Sequence, residues 1–336
     1  MTRRILGRLA QLPLVLLVIY TLTLILAWAV PGNPLDRPEG RRPPAEVIEA
    51  LQRRYNLDSF WGFYGSYLYS ATGAKWAVEE LDGTAQDRRA RFEADGLAPP
   101  PARVFDLGPS LGYRDWSVND VLAGALPVSM LIGATAIAMA LVLGVLAGVI
   151  GAVRPNGVID GLTLMVALVG VSLPTFVIGT VLLILFPVWL GLGAVGRWGS
   201  PVDVLLPSLT LSLPFAAYIA RLTRLSMVEV LWADYVRTAR AKGVTETGVV
   251  MRHALKNAFL PVLSYLGPAT ALAMTGSFVI ERVFSVPGLG QHFVEAVRNK
   301  DLFLIIGVVL VFSTMLIVFN LIVDVLYGWF DPRIEG

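Results

Sequence analysis

Few residues in this chain could do covalent chemistry. Among its 336 residues there is no cysteine, which excludes disulfides, thiolate nucleophiles and Cys-ligated metals. The two histidines, His253 and His292, lie far apart and neither belongs to an HExxH pair, so a zinc hydrolase is not indicated. No G-x-x-x-x-G-K-[ST] segment occurs, so the chain carries no P-loop ATPase of its own. What remains is a concentration of charge at residues 234–261, DYVRTARAKGVTETGVVMRHALKNAFLP, set between two apolar stretches. Its chemistry is that of a contact surface.

The pattern predicts two helices there. Asp234 stands where an N-cap would, able to accept from the free N–H groups of a first turn. Tyr235 and Thr238 follow within the same turns, with Arg237, Arg240 and Lys242 towards the other end, where cations suit the dipole. Ala239 lies among them, and Gly243 sits where a helix commonly stops. Such a helix has roughly two turns, too few to persist alone in water. Thr245 caps a second helix, on which Val250, Ala254 and Ala258 recur at i, i+4 while Arg252, His253 and Lys256 lie elsewhere. The segment is either a plug for a partner or a solvated basic loop between two membrane spans.

The elements that must position this loop are membrane helices. The chain is 55% hydrophobic and 15% charged, and its mean hydropathy is +0.67, too apolar for a soluble domain. An apolar run at residues 12–30 follows Arg3, Arg4 and Arg8. Ala27-Trp28-Ala29 mimics a signal-peptide cleavage site, but the run exceeds the usual apolar region of about 7–15 residues. A retained first span with a cytoplasmic N-terminus is therefore expected. Five more spans are expected at 126–152, 160–191 (interrupted by Pro174), 203–220, 259–280 and 302–327. Gly133, Ala134, Gly144 and Gly148 would allow close helix approach.

Residues 31–120 form an expected extracytoplasmic region. Pro43 and Pro44 open a helix with Val47, Ile48, Leu51 and Tyr55 on one face. An aromatic helix with Phe60, Trp61, Tyr64, Tyr67 and Leu68 follows, expected at the membrane interface or, alternatively, as a docking surface. An insert at 70–103 reads as one helix with flexible ends, closed by Pro99-Pro100-Pro101. Asn320 and Asp324 lie near the end of the last span, where a structural role is the expectation.

Residues 234–261 resemble the "EAA" loop of permease subunits of binding-protein-dependent ABC importers, which docks in an ATPase subunit. In that pattern a Glu-Ala-Ala triplet opens six residues ahead of a glycine; here those positions hold Arg237, Thr238 and Ala239 before Gly243. The closing Leu-Pro is Leu260-Pro261. Both departures are typical of the peptide and nickel importer branch. The exit AVPGNPLD at 29–36, LGPSLGYRDWSVNDVL at 107–122, ERVFSVPGLGQ at 281–291 and NLIVDVLYGWFDP at 320–332 resemble the same branch. The likeness is nearest to the B-type permease subunit of oligopeptide and dipeptide importers and covers most of the chain, the 70–103 insert excepted.

The resemblance implies an all-α polytopic membrane protein with six transmembrane helices in the type I ABC importer (MetI-like) fold, with a helical extracytoplasmic region between spans 1 and 2. It divides the chain into 1–125, a transmembrane domain 126–327 containing the coupling loop 225–258, and a cytoplasmic tail 328–336. It implies a second homologous permease subunit, two ATPase subunits that use the ATP, an extracytoplasmic peptide-binding protein and the bilayer of the inner membrane as partners. No cofactor, metal or nucleic acid is expected on this chain. Glu281, Pro287, Gly288 and Gly290 would lie on an outer loop near the translocation path. An ion-gradient-driven transporter and a polytopic membrane enzyme are the competing classes, and nickel chelates or other small solutes the competing cargo.

Overall fold

The computed structural model describes residues 2–30, 45–96, 98–99, 101–113, 116–193, 195–275 and 278–330, without the side chains of 2–6, 8, 9, 45, 47, 48, 51, 324 and 326–330. Several expectations lie outside the described residues: the Pro-Gly-Asn-Pro exit, Pro43 and Pro44, and residues 331–336 with Arg333. The same holds for the side chains of Arg3, Arg4, Arg8, Val47, Ile48, Leu51 and Asp324.

The described chain is helical, with no strand beyond an isolated bridge between Pro109 and Ser117. In order come α1 (Thr2–Ala29), α2 (Ala45–Tyr55), α3 (Phe60–Ala71), α4 (Ala74–Leu81), α5 (Thr84–Ala94) and α6 (Val118–Val153). Then follow α7 (Val158–Ser172), α8 (Thr175–Leu183) with a π turn at Ile184–Trp189, α9 (Pro201–Leu231) and α10 (Asp234–Ala241). After α11 (Glu246–Gly248) come a π turn at Val249–Ala254, α12 (Leu255–Ala258), α13 (Leu260–Met274), α14 (Phe278–Phe284), α15 (Leu289–Asn299) and α16 (Leu302–Phe330). Four helices are long and apolar enough to cross a membrane, or up to six if each of two bent pairs, α7 with α8 and α13 with α14, counts as one span. The α7/α8 bend is 104°. Its cause is Pro174, which drives Leu173 into extended backbone (φ −82°, ψ 133°) as a residue before proline prefers.

Two spans are longer than the hydropathy pattern marks out. The second begins at Val118, and α9 continues beyond residue 220 to Leu231, so the polar loop starts later than residue 225. The α9 start is a full capping box: Ser200 Oγ accepts from Val202 N–H at 3.3 Å, and Asp203 Oδ2 accepts from Ser200 N–H at 2.9 Å.

The chain resolves into two compact units. The larger comprises Met1–Leu12, Ala125–Gln291 and Thr314–Gly336; the smaller comprises Pro13–Gly124 and His292–Ser313. In the larger, Ile132, Ala136, Ala140, Phe215, Ile219, Ala269 and Ala273 share one core. A Cβ on Gly144 or Gly148 would overlap the Ala216 and Ala220 carbonyls of α9, so α6 and α9 meet backbone to backbone. Gly133 meets α13 in the same way. Ala134, expected on this seam, is exposed.

In the smaller unit the aromatic helix turns inward. Phe63 and Tyr67 are buried, with ring centroids 5.2 and 5.9 Å from Phe303. Tyr67 also stacks on Tyr20 at 5.6 Å, and Tyr20 Oη donates to the Tyr64 carbonyl at 2.8 Å. These rings form a core between α3, the first candidate span and the start of α16, while Trp61 remains 75% exposed. The 70–103 insert is two helices, α4 and α5, because Gly83 (φ +79°) breaks it.

Residues 108–112, GPSLG, have the spacing of a Gly-x-Ser-x-Gly nucleophile elbow. Ser110 is otherwise engaged. Its Oγ donates to Asp301 Oδ2 at 2.5 Å and accepts from Tyr113 N–H at 3.0 Å, with no imidazole among its partners. Asp301 is buried, accepts from Gly112 N–H at 2.9 Å, and caps α16 by accepting from Leu304 N–H at 3.1 Å. Beside it Tyr113 Oη donates to Glu295 Oε2 at 2.5 Å and lies 2.9 Å from His292 Nδ1. A phenol has one hydrogen, so the imidazole Nδ1–H must be the donor of the second bond.

Burial holds the His292 imidazole below its usual range, opposed by Glu295. The folded unit therefore binds fewer protons than the unfolded chain once pH drops below about 6.5, and stability is lost as pH falls further through the depressed value. Asp301, pushed up by burial, titrates in the opposite sense, so the contrast between wild type and His292→Gln is the informative quantity. The protection factors of the amides within residues 107–113, after correction for the intrinsic pH dependence of exchange, should fall between pH 7 and 5.5 more in wild type than in the variant. Equal slopes would exclude the imidazole as the cause.

Candidate functional site

The polar loop is built outward from the end of α9. Trp232 closes that helix, Ala233 is extended (φ −67°, ψ 149°), and α10 begins at once. Asp234, expected as the N-cap, is instead the first helical residue, and Ala233 makes no side-chain cap. The Asp234 carboxylate still sits at the positive end of the helix dipole. Its contact with Arg237 Nη1 at 3.6 Å joins two exposed side chains and contributes little.

An apolar seal holds α10 in place. Val236 and Ala239, three residues apart, are buried with Val249, and Val230, Leu231 and Val244 pack round them. Lys242 is the C-cap, and Gly243 takes the left-handed conformation at φ +78°. Gly243 N–H donates to the Arg240 carbonyl at 2.9 Å, and Val244 N–H to the Ala239 carbonyl at 3.2 Å. This is a Schellman turn, and Val244 returns to the apolar patch as such turns require. A Cβ on Gly243 would meet no atom of this chain within 4 Å, so the backbone angle alone demands glycine here.

Arg240 closes the turn from outside. Its Nε and Nη2 donate to Glu246 Oε1 and Oε2 at 2.9 and 3.3 Å, and its Nη1 to the Leu231 carbonyl at 3.3 Å. One guanidinium thus ties the ends of α9, α10 and α11 together, a different position from that of Arg237, which points into solvent. Tyr235 Oη accepts from Asn257 Nδ2 at 2.8 Å, bracing α10 against α12. Thr238 Oγ1 donates back to the Asp234 carbonyl at 2.9 Å. Thr245 caps α11 as expected, accepting from Gly248 N–H at 3.3 Å. The next helix is out of phase with the uniform i, i+4 pattern. The π turn adds a residue, so Val249, Ala254 and Ala258 are buried and Val250 only partly so. Trp232 is 68% exposed, and Arg237, Lys242, Arg252 and Lys256 are exposed with it, while His253 is half-buried.

Glu281 belongs to a closed arrangement. Its carboxylate is buried, accepts from Ser129 Oγ at 2.8 Å and Gln291 N–H at 3.1 Å, and takes a further backbone N–H from Gly290. Ser129 Oγ in turn accepts from Leu289 N–H at 2.9 Å. The segment after α14 therefore wraps its own acid, which occupies the free N–H groups at the start of α15. Gly288 and Gly290 are glycine by close approach: a Cβ on Gly288 would overlap the Glu281 carboxylate, and one on Gly290 the Phe278 backbone. Pro287 precedes them in the turn. These residues are brought together as a fold-back.

Asp160 and Arg224 had no sequence signal as a pair. Arg224 Nε donates to Asp160 Oδ1 and Nη2 to Oδ2, the latter at 2.6 Å, and Asn156 N–H donates to Oδ2 at 2.7 Å. Arg224 is a part-buried bidentate anchor between the start of α7 and α9, seven residues before α9 ends. Helix polarity hides such a pair, since each residue alone reads as an end-of-span charge.

An all-helical chain with up to six spans and a compact exposed loop between two of them has the build of a membrane transport subunit. Residues 122–336 match the family described as binding-protein-dependent transport system inner membrane component, and the chain belongs to that family. It is 38% identical over 336 residues to the dipeptide transport system permease protein DppB of Bacillus subtilis, covering all of this chain and 98% of that one. It is 36% identical to the oligopeptide transport system permease protein OppB of Haemophilus influenzae over the full length of both, and 38% identical to OppB of Escherichia coli K12 over 95% of each. A solved structure of the MetNI methionine ABC transporter aligns with 63% of this chain and 96% of its own at TM-score 0.50 and 15% identity, which shows a shared fold.

Replacing Gly243 by Val forces a β-branched residue into left-handed backbone at roughly 1–2 kcal/mol or more, so amide exchange across residues 236–244 should accelerate about tenfold while the spans remain protected. Unchanged exchange would refute the turn's role. Removing the Asp160 charge with Asn leaves a part-buried guanidinium without its counter-ion, and losing hydrogen bonds to a charged group costs about 1.5–3 kcal/mol. The double variant Asp160→Asn/Arg224→Gln should recover much of that in thermal denaturation. Additive losses would argue against a coupled pair.

Proposed function

We propose that this chain is one of two similar but non-identical membrane subunits of an importer for dipeptides or oligopeptides, worked by two separate ATPase subunits. A peptide-binding protein delivers cargo from the extracytoplasmic side. Both termini and the loop between α9 and α13 lie in the cytoplasm, and ATP is hydrolysed on the partner subunits. The peptide cargo is supported by similarity along the whole chain to permeases named for dipeptides and oligopeptides.

The observation that carries the mechanism is the loop's construction. A helix of eight residues is sealed into its own unit through Val236 and Ala239, while Arg237 on it and Trp232 and Lys242 flanking it are exposed. The seal, the Gly243 turn and the Arg240 clasp make α10 move as one piece with the end of α9. A groove in an ATPase that grips α10 then displaces α9, and through Arg224 and Asp160 the α6/α7 turn with it. A ligand bound at one place can shift an equilibrium elsewhere only through such a two-state element. Arg240 supports the shape of the loop, and Arg237 and Lys242 are the charges available for the partner.

The ion-gradient alternative would place working charges at broken helices. The acid beside the α13/α14 bend, Glu281, is consumed by Ser129 and its own backbone turn, which favours the ATP-driven reading.

Proteoliposomes holding both membrane subunits, both ATPases and the binding protein should take up labelled dipeptide only when ATP is inside the ATPase compartment. Arg237→Glu/Lys242→Glu should cut ATPase copurification several-fold in a salt-sensitive way, with loop amide exchange unchanged. Uptake driven by a proton gradient without ATP, uptake restricted to nickel chelates, or normal assembly of the charge-reversed variant would overturn the corresponding part of this reading.

A further inference from the structure

The smaller unit contains a cavity of about 590 Å³ that the coupling mechanism does not use. That volume falls in the range of about 300–1,000 Å³ typical of small-molecule sites. Elements distant in sequence form its wall: the end of α2, one face of α3, the start of α4, the loop leading into α6, and the first turn of α16.

Three cations line it, and they differ in what they already hold. Arg103 is committed, donating to both oxygens of Asp120 at 2.8 and 2.9 Å. Lys75 reaches Asp106 only at 3.9 Å. Arg54 pairs with no carboxylate among the described residues and lies 5.7 Å from the Tyr55 ring. Asp106 is the one carboxylate among the lining residues. The cavity thus has an excess of positive charge with one anionic position.

The rest of the wall combines aromatic rings, including Tyr67, Trp116 and Phe303, with serines. Tyr67 is only 3% exposed, and its hydroxyl is a buried polar atom without a hydrogen-bond partner. Buried hydroxyls are normally satisfied, so a polar group from outside the chain has a place beside it. A bare inorganic anion would cover the cations and leave the aromatic rings and Asp106 without a partner. A ligand with a carboxylate, an adjoining apolar side chain and an ammonium matches all three features.

We propose that this cavity binds a short peptide by its C-terminal residue, the carboxylate between Arg54 and Lys75, the side chain against Trp116 and Phe303, the peptide group beside the Tyr67 hydroxyl, and the amino group towards Asp106. Cargo dwells there, on the smaller unit, before or during transfer. The inference rests on the peptide-importer reading above.

The complete complex, without binding protein or nucleotide, is titrated calorimetrically with the dipeptide Ala-Phe, with its C-terminal amide, and with inorganic phosphate. Ala-Phe should bind saturably, at least tenfold more tightly than the amide, and phosphate should not compete. Arg54→Gln/Lys75→Gln should weaken Ala-Phe at least tenfold, with thermal denaturation of the complex unchanged. Equal affinity in that variant, absence of saturable binding in the millimolar range, or phosphate binding that matches Ala-Phe would each overturn the site. Loss of binding-protein association in the variant, with peptide titration unaffected, would make the cavity a protein contact and also overturn it. ATP-driven uptake of Ala-Phe is measured in parallel. Uptake by a complex whose cavity binds nothing defeats this inference and leaves the importer reading standing, whereas cavity binding without any uptake supports the site and defeats the importer reading.

Discussion

A carboxylate taken out of water must find replacements for its hydration, and the cost of failing to do so is several kcal/mol per charge. Three acids here are buried to 2% exposure or less: Asp160, Glu281 and Asp301. Each is satisfied by groups that only a folded chain can supply, and each satisfaction closes a contact across the sequence. Asp160 takes the guanidinium of Arg224, 64 residues away. Glu281 takes the hydroxyl of Ser129, 152 residues away. Asp301 takes that of Ser110, 191 residues away. In helices whose outer faces are uniformly apolar, greasy contact specifies little, because lipid and neighbouring helix are alike to a leucine. The buried acids supply register instead.

The glycines act in the same cause by a different route. Gly144 and Gly148 bring α6 and α9 to backbone contact, and Gly288 and Gly290 leave room for the Glu281 carboxylate. Gly243 is of another kind: nothing within this chain crowds it, and its φ of +78° requires glycine. A closing turn made from backbone geometry alone is stiff and small, which suits a part that must hand on a displacement without deforming.

Much of this was legible in the residues themselves. The helix stop at Gly243, the Thr245 cap and the break at Pro174 follow from local backbone sterics, which a few consecutive residues express in full. The apolar runs of α1, α6, α9 and α16 are long enough to read as spans for the same reason. The site was less legible. Arg237 and Arg240 look equivalent as text, yet one is exposed with only a loose contact to Asp234 and the other bonds Leu231 and Glu246. Val250 looked like the buried member of its helix until the π turn moved that duty to Val249. The aromatic residues of α3 read as a run of exposed rings, and the sequence did not show that Phe63 and Tyr67 have Tyr20 and Phe303 to pack against.

The sequence by itself determined the class of solvent this chain lives in, where its helices stop and bend, and which segment is too polar to stay among the spans. Those are properties of neighbouring residues and of hydropathy summed over a window. Only the tertiary structure decided which charges are anchors and which are free, how the buried acids are neutralised, and that a cation-rich, aromatic-walled cavity exists in the smaller unit. Those depend on side chains brought within a few ångströms from positions up to nearly two hundred residues apart, and no local rule of sterics or hydropathy carries that information.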